Sequence, residues 1–139
     1  MQKYSVYLYK KKEKIKINKI NQPEHFEELT DRKKEALLEF CHSINKIKSF
    51  NTRRSSYGLK HVFEEKYRNA LYSAVEGSYI TNGQFKGAML KAGFNVKDKS
   101  QLNWHFNVSE KSMKQFDDDI ERERKGIPKR ATFKGKLIN

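Results

Sequence analysis

Arg53 and Arg54 stand immediately before Ser55 and Ser56. Two guanidinium groups beside a serine-capped helix start combine positive charge with unpaired backbone N–H groups, an arrangement that holds phosphate without reading sequence. Lys60 follows about one and a half turns further along the same expected helix. A second set lies on the helix predicted from TNGQFKGAMLKAG, where Asn82, Gln84, Lys86 and Lys91 fall off the apolar stripe. Asn, Gln and Lys are side chains able to address base edges. A hairpin expected after that helix adds Lys97 and Lys99, with Asn103, His105 and Asn107 along its polar edge. Lys129 and Arg130 contribute from the C-terminal end. Together these residues describe a surface for nucleic acid or for a partner that carries it.

No catalytic constellation accompanies them. His25, His42, His61 and His105 are scattered, and a single cysteine, Cys41, provides no paired ligand motif of the zinc type. Asp117, Asp118 and Asp119 are consecutive on a predicted helix, so they point in different directions and cannot all serve one cation. Cys41 falls beside Phe40 and Ile44 on an apolar helix face, where a buried, inert thiol is expected. No glycine-rich loop precedes a Lys-Ser or Lys-Thr pair, so no nucleotide cradle is visible. The expectation is a protein that binds and does not catalyse, with no metal, no cofactor and no small-molecule substrate.

The charge distribution sharpens this. The 139 residues carry a net +13, but residues 1–20 hold seven Lys and one Glu, and residues 122–139 hold seven Lys or Arg and one Glu. Each end is therefore +6, and the 101 residues between them are nearly balanced, with 16 basic and 15 acidic side chains. Basic ends favour phosphate backbones or an acidic partner surface. Within the balanced middle, Phe40 to Phe63 contains no Asp or Glu, while Lys46, Lys48, Arg53, Arg54 and Lys60 contribute +5. Residues 24–39 and 110–121 each sum to −3 and are poor candidates for facing phosphate.

The elements that must position these groups follow from periodicity. Hydrophobic residues make up 36% and include nine Phe, seven Tyr and one Trp, enough for one modest core. Tyr4, Val6 and Leu8, then Ile15, Ile17 and Ile20, alternate around KKKEK, which fits an N-terminal hairpin or an extended arm. Leu37, Phe40, Cys41, Ile44 and Ile47 predict a helix over 31–48, capped by Thr30 or Asp31. Ser55 or Ser56 caps a second helix, with Leu59, Val62 and Phe63 inward, that can continue through Tyr67 and Leu71 to Gly77. Thr81 and Gln84 have capping-box spacing for a helix over 82–92, ended by Gly93. Leu102, Trp104, Phe106 and Val108 alternate as a strand, with Phe94 and Val96 as its partner, and Ser109 caps a last helix.

The order of three helices and a short hairpin is that of a winged helix, in which the third helix can enter a groove. The fold expected is mainly α with a small β component. It comprises a basic N-terminal arm or hairpin over 1–22, a compact helical, winged-helix-like domain over 23–126, and a basic C-terminal tail over 127–139. No apolar run reaches the roughly 20 residues that span a bilayer. The N-terminal residues lack the pattern of a signal peptide, so a cytoplasmic location and no membrane partner are expected.

The strings NTRRSSYGLKH (51–61), YITNGQFKGAMLKAGF (79–94) and NWHFNVS (103–109) resemble a small helix-turn-helix-like domain. That domain occurs in proteins of phages and mobile elements of Gram-positive bacteria, and the resemblance spans about residues 50–110. Some anti-CRISPR proteins directed at type II-A effector nucleases look similar. The resemblance implies a counter-defence protein of a phage or mobile element, acting in the bacterial host cell. It would bind a CRISPR effector nuclease loaded with guide RNA and block it without catalysis. Alternatives are a DNA-binding transcriptional regulator of the element, and a structural or accessory phage protein. The chain departs from the pattern in the longer segment EEKYRNALYSAVEG and in its own N-terminal segment and C-terminal helix.

Overall fold

The computed structural model describes residues 18–126 together with the backbone of two short strands further on. A 3₁₀ segment, Pro23–Glu28, leads into α1 (Asp31–His42), α2 (Ser56–Lys66), α3 (Asn82–Lys91) and α4 (Glu110–Arg124). The strands β1 (Ala131–Phe133) and β2 (Lys136–Ile138) pair antiparallel, with Thr132 opposite Leu137. The N-terminal hairpin expected over 1–22 falls mostly on residues outside the described ones, and residues 18–20 form a helical turn.

Each α-helix starts on a hydroxyl. Thr30, Ser55, Thr81 and Ser109 each accept from the backbone N–H three residues on, removing one orphan donor per helix. At Thr81 the capping box is complete, since Gln84 Oε1 also accepts the Thr81 N–H at 2.8 Å.

Phe40 joins the helices. Its ring contacts Phe63 of α2 at 5.6 Å, Phe85 of α3 at 6.4 Å and Phe116 of α4 at 5.0 Å, in tilted or edge-on geometries that suit the ring quadrupoles. One buried apolar cluster runs from Phe26 to Phe116. Burial pushes the Cys41 thiol pKa well up, which keeps it protonated and inert.

The centre of the fold is α3, every residue of which from Asn82 to Met89 is buried. Two glycines make that possible. A Cβ on Gly83 would lie 2.2 Å from Gln22 O, and one on Gly87 would lie 2.3 Å from Pro23 O. Four residues apart, they share one helix face, and the 21–26 backbone lies directly on it. The opposite stripe, Phe85, Ala88, Met89 and Ala92, is buried as its spacing predicts.

The protein is mainly helical with little strand. Two helices are shorter than their apolar spacing predicts. Instead of running to 48, α1 stops at His42, because Ser43 Oγ donates to Phe40 O at 2.6 Å and Asn45 N–H donates to Ser112 Oγ across to α4. Ile47, placed inward by periodicity, is 39% exposed. Likewise α2 ends at Lys66, because its own Glu64 captures the chain that follows. The Glu64 carboxylate accepts the Ile80 N–H at 3.0 Å, and its backbone carbonyl accepts Ser78 Oγ, so residues 67–80 turn back over the helix end.

In place of a hairpin of two strands, the 94–108 region holds the single bridge Val96 to Phe106, and Val108 bridges on its other side to Lys46. Of the alternating residues, Trp104, Phe106 and Val108 are buried, whereas Leu102 is exposed. Among the described residues no helix is long and apolar enough to cross a membrane.

Candidate nucleic-acid interface

The extended segment 104–109 is flanked on both sides. Ser109 N–H donates to Asn45 O and Ile47 N–H to Asn107 O on one edge, and Lys97 N–H donates to His105 O on the other. Asn107 fastens both neighbours, since its Nδ2 donates to Ile47 O and its Oδ1 accepts the Asn95 N–H. Three chain segments, 45–51, 94–97 and 104–109, are thereby held side by side.

The outer two segments, with the two residues that follow each, carry the cations. Lys46, Lys48, Arg53, Lys97 and Lys99 are all exposed. None of them lies within ion-pair distance of a described carboxylate. Lys46 leans over the Phe94 ring with Nζ 4.5 Å from its centroid, keeping the ammonium at the surface of this face. Between residues 77 and 109 the only acidic residue is Asp98, and its carboxylate is turned into its own loop. It accepts Ser100 Oγ at 2.7 Å and Ser100 N–H at 2.9 Å, bonds that hold its pKa below the usual aspartate value. The Asp98 carboxylate therefore already has hydrogen-bond donors, as does that of Glu110, which accepts from Asn51 Nδ2 at 2.9 Å.

The other sequence-derived positions have different fates. Arg54 is closed on α4: its Nε and Nη2 reach Glu110 at 3.2 and 2.8 Å, and Nη2 also meets Asp117 at 2.9 Å. Arg54 holds the Glu110 carboxyl at about 2, while Glu110 raises the Arg54 pKa in return. Lys60 is buried with Glu64 at 3.0 Å and lies over the rings of Tyr57 and Tyr79. Lys91 is exposed but paired to Glu27 at 3.1 Å.

The polar side of α3, expected to face a groove, is enclosed. Lys86 is 4% exposed, donates to Asn21 O at 3.0 Å and sits 4.6 Å from the Trp104 ring centroid. Burial pushes its pKa below the usual lysine value. Asn82 Nδ2 reaches Leu102 O and Asn103 Oδ1, and Gln84 is spent in the capping box. The physical reason is the glycine face: with Gly83 and Gly87 covered by residues 21–26, α3 has chain on every side. The expected polar edge of the hairpin is also occupied inward, because His105 Nδ1 lies 3.0 Å from Arg54 O and Asn107 is buried. Lys129 and Arg130 lie outside the described residues.

Of the sequence-derived positions, Arg53, Lys97 and Lys99 are therefore exposed and without a described carboxylate partner, and Lys46 and Lys48 share that condition. The signal for those two is the acid-free stretch from Phe40 to Phe63. Among the described residues no three His, Cys, Asp or Glu side chains gather as metal ligands. Compared with known proteins, the chain matches no family model, no curated protein and no solved structure.

Proposed function

We propose that this protein works by binding the phosphates of a nucleoprotein target through the Lys46, Lys48, Arg53, Lys97 and Lys99 face. On the resemblance of its motifs, that target is a CRISPR effector nuclease loaded with guide RNA, which the protein blocks without chemistry of its own. The observation that carries the reading is the set of exposed cations, free of described carboxylate partners, on or just beyond the two segments fastened to the extended stretch 104–109. A backbone already fastened by hydrogen bonds loses little further freedom on binding, so charge carried there is more effective than on a loose tail. The basic N-terminal residues add further positive charge to the same chain.

The burial of α3 favours this reading over that of a DNA-binding regulator. A reader helix must present side chains to base edges in the major groove, and Asn82, Gln84 and Lys86 are all buried with partners.

Co-purification of the tagged full chain with a guide-loaded type II-A effector nuclease tests the proposal, alongside titration of short duplexes over a salt series. Expected are stable association with the nuclease and weak, sequence-blind duplex binding. Five phosphate contacts would give a log–log salt slope of at most about −4.5 on duplex DNA. No association with the nuclease, or a saturable preference for one palindromic duplex, would overturn it.

A further inference from the structure

Ile47 N–H donates to Asn107 O at 3.0 Å, and Asn51 N–H donates to Phe106 O at 2.9 Å. The donors are four residues apart and their acceptors are adjacent, so Lys48, Ser49 and Phe50 have no place in the pairing and must bow outward. The loop is pinned on its far side as well. Asn51 is buried, its Nδ2 donates to Glu110 Oε1 at 2.9 Å, and its Oδ1 accepts the Arg53 N–H at 3.0 Å. Directly before the Asn51 anchor stands Phe50, 39% exposed, with no ring contact to another described aromatic residue. Ile47, at the other end of the loop, is equally exposed, and exposed apolar side chains are ordinary on a protein surface. The Phe50 ring lies between Lys48 and Arg53 in a stretch of sequence without Asp or Glu, on a loop anchored at both ends.

From this geometry we infer that the face takes single-stranded nucleic acid, with the Phe50 ring as a stacking platform for an unpaired base and Lys48 and Arg53 holding the flanking phosphates. The inference rests on the phosphate-binding reading above and specifies the form of the nucleic acid. In a duplex the base faces are stacked on one another and only the backbone is offered to an exposed ring. An unpaired base has a free π-face, and stacking on an aromatic side chain is tolerant of base identity. A ring held by an anchored loop stacks with little loss of freedom.

The test uses the full chain and a fluorescently labelled 12-nucleotide strand of mixed sequence, single or annealed to its complement, at matched salt. The single strand is expected to bind at least tenfold more tightly than the duplex. Phe50→Ala should weaken single-strand binding by about 5- to 150-fold, the range that loss of one stacked base gives. The same change should alter duplex binding by less than twofold and leave the salt slope unchanged. Phe50→Trp should retain single-strand affinity, and the thermal midpoint of Phe50→Ala should stay within about 2 °C of the parent, which separates stacking from misfolding. Equal effects of Phe50→Ala on both forms, or none on either, overturn the stacking inference. If the paired reversal Lys48→Glu and Arg53→Glu still weakens binding in that case, the phosphate-binding reading stands alone. If the reversal has no effect either, both fall.

Discussion

The guanidinium of Arg54 closes in a fork on the carboxylate of Glu110, with Nε at 3.2 Å and Nη2 at 2.8 Å. The pair joins the chain leading into α2 to the first turn of α4, and the side chains are only 19% and 24% exposed. Glu110 is also well placed beside the N-terminal end of the α4 dipole. Two consecutive arginines therefore divide into one that holds the fold and one, Arg53, that is left at the surface.

Charge reversal should separate the two. Arg54→Glu leaves Glu110 and Asp117 facing a third carboxylate and should lower stability by about 3 kcal/mol, in line with breaking a partly buried pair. Arg53→Glu should shift the thermal midpoint by no more than about 2 °C, yet weaken nucleic-acid binding by tenfold or more at low salt. Thermal melts and binding isotherms on both variants check this, and equal loss of stability in the two would refute the division.

The same pair sets an acid limit. Arg54 lowers the folded-state pKa of Glu110 to about 2, against about 4.3 in an unfolded chain. A carboxyl with a depressed folded pKa contributes its full stability above the unfolded value and loses it as pH falls through the folded one. Chemical denaturation midpoints should therefore decline between about pH 4.5 and pH 2. In Glu110→Gln the starting stability should be lower and the decline over that window shallower. An unchanged acid slope in the variant would assign the loss to other carboxyls.

Local chemistry is legible in the sequence. The Thr81 and Gln84 box, the Ser55 and Ser109 caps, and the Phe85, Ala88, Met89 and Ala92 stripe depend on neighbours three or four residues away, and all are present. What is not legible depends on distant partners. Arg54 meets Glu110 at a separation of 56 residues, and Lys86 meets Asn21 at 65. Residues 45–48 leave the helix that their spacing favours because 104–109 offers this stretch backbone partners. Gly83 and Gly87 carry a signal, two glycines four apart on one helix, that points to close backbone approach. The apolar stripe taken alone assigns their face to solvent.

Glycine substitutions test that account by sign. In an open helical position Gly→Ala stabilises by about 0.5–1 kcal/mol, by restricting the unfolded chain. Gly58 of α2 is such a position, since a Cβ there would meet nothing nearer than Ser55 Oγ at 4.0 Å, so Gly58→Ala should raise the melting point. In Gly87→Ala the new methyl would sit 2.3 Å from Pro23 O and 2.5 Å from Phe26 Cβ, neither of which can move alone. Stability should fall by about 3 kcal/mol or more, and Gly83→Ala should behave alike. A neutral Gly87→Ala would mean that residues 21–26 do not press on α3.

Lys86 decides between a buried α3 and a reading helix. Its ammonium has Asn21 O at 3.0 Å and the Trp104 ring on the same inward side, so no phosphate or base can reach it without opening the core. Lys86→Met keeps most of the side-chain length and its apolar stem while removing the charge and the bond to Asn21. Nucleic-acid affinity should remain within about twofold of the parent. Stability should fall by about 1–2 kcal/mol, because Asn21 O loses its charged donor and the Trp104 ring its cation. The double variant Lys97→Glu and Lys99→Glu should do the reverse, because both side chains are exposed and unpaired with described carboxylates. It should reduce affinity by tenfold or more and flatten the salt dependence by about 0.7 per contact on a single strand, with an unchanged melt. A large loss of affinity in Lys86→Met with an unaltered melt would instead require α3 to leave its place between residues 21–26 and Trp104 when the target binds.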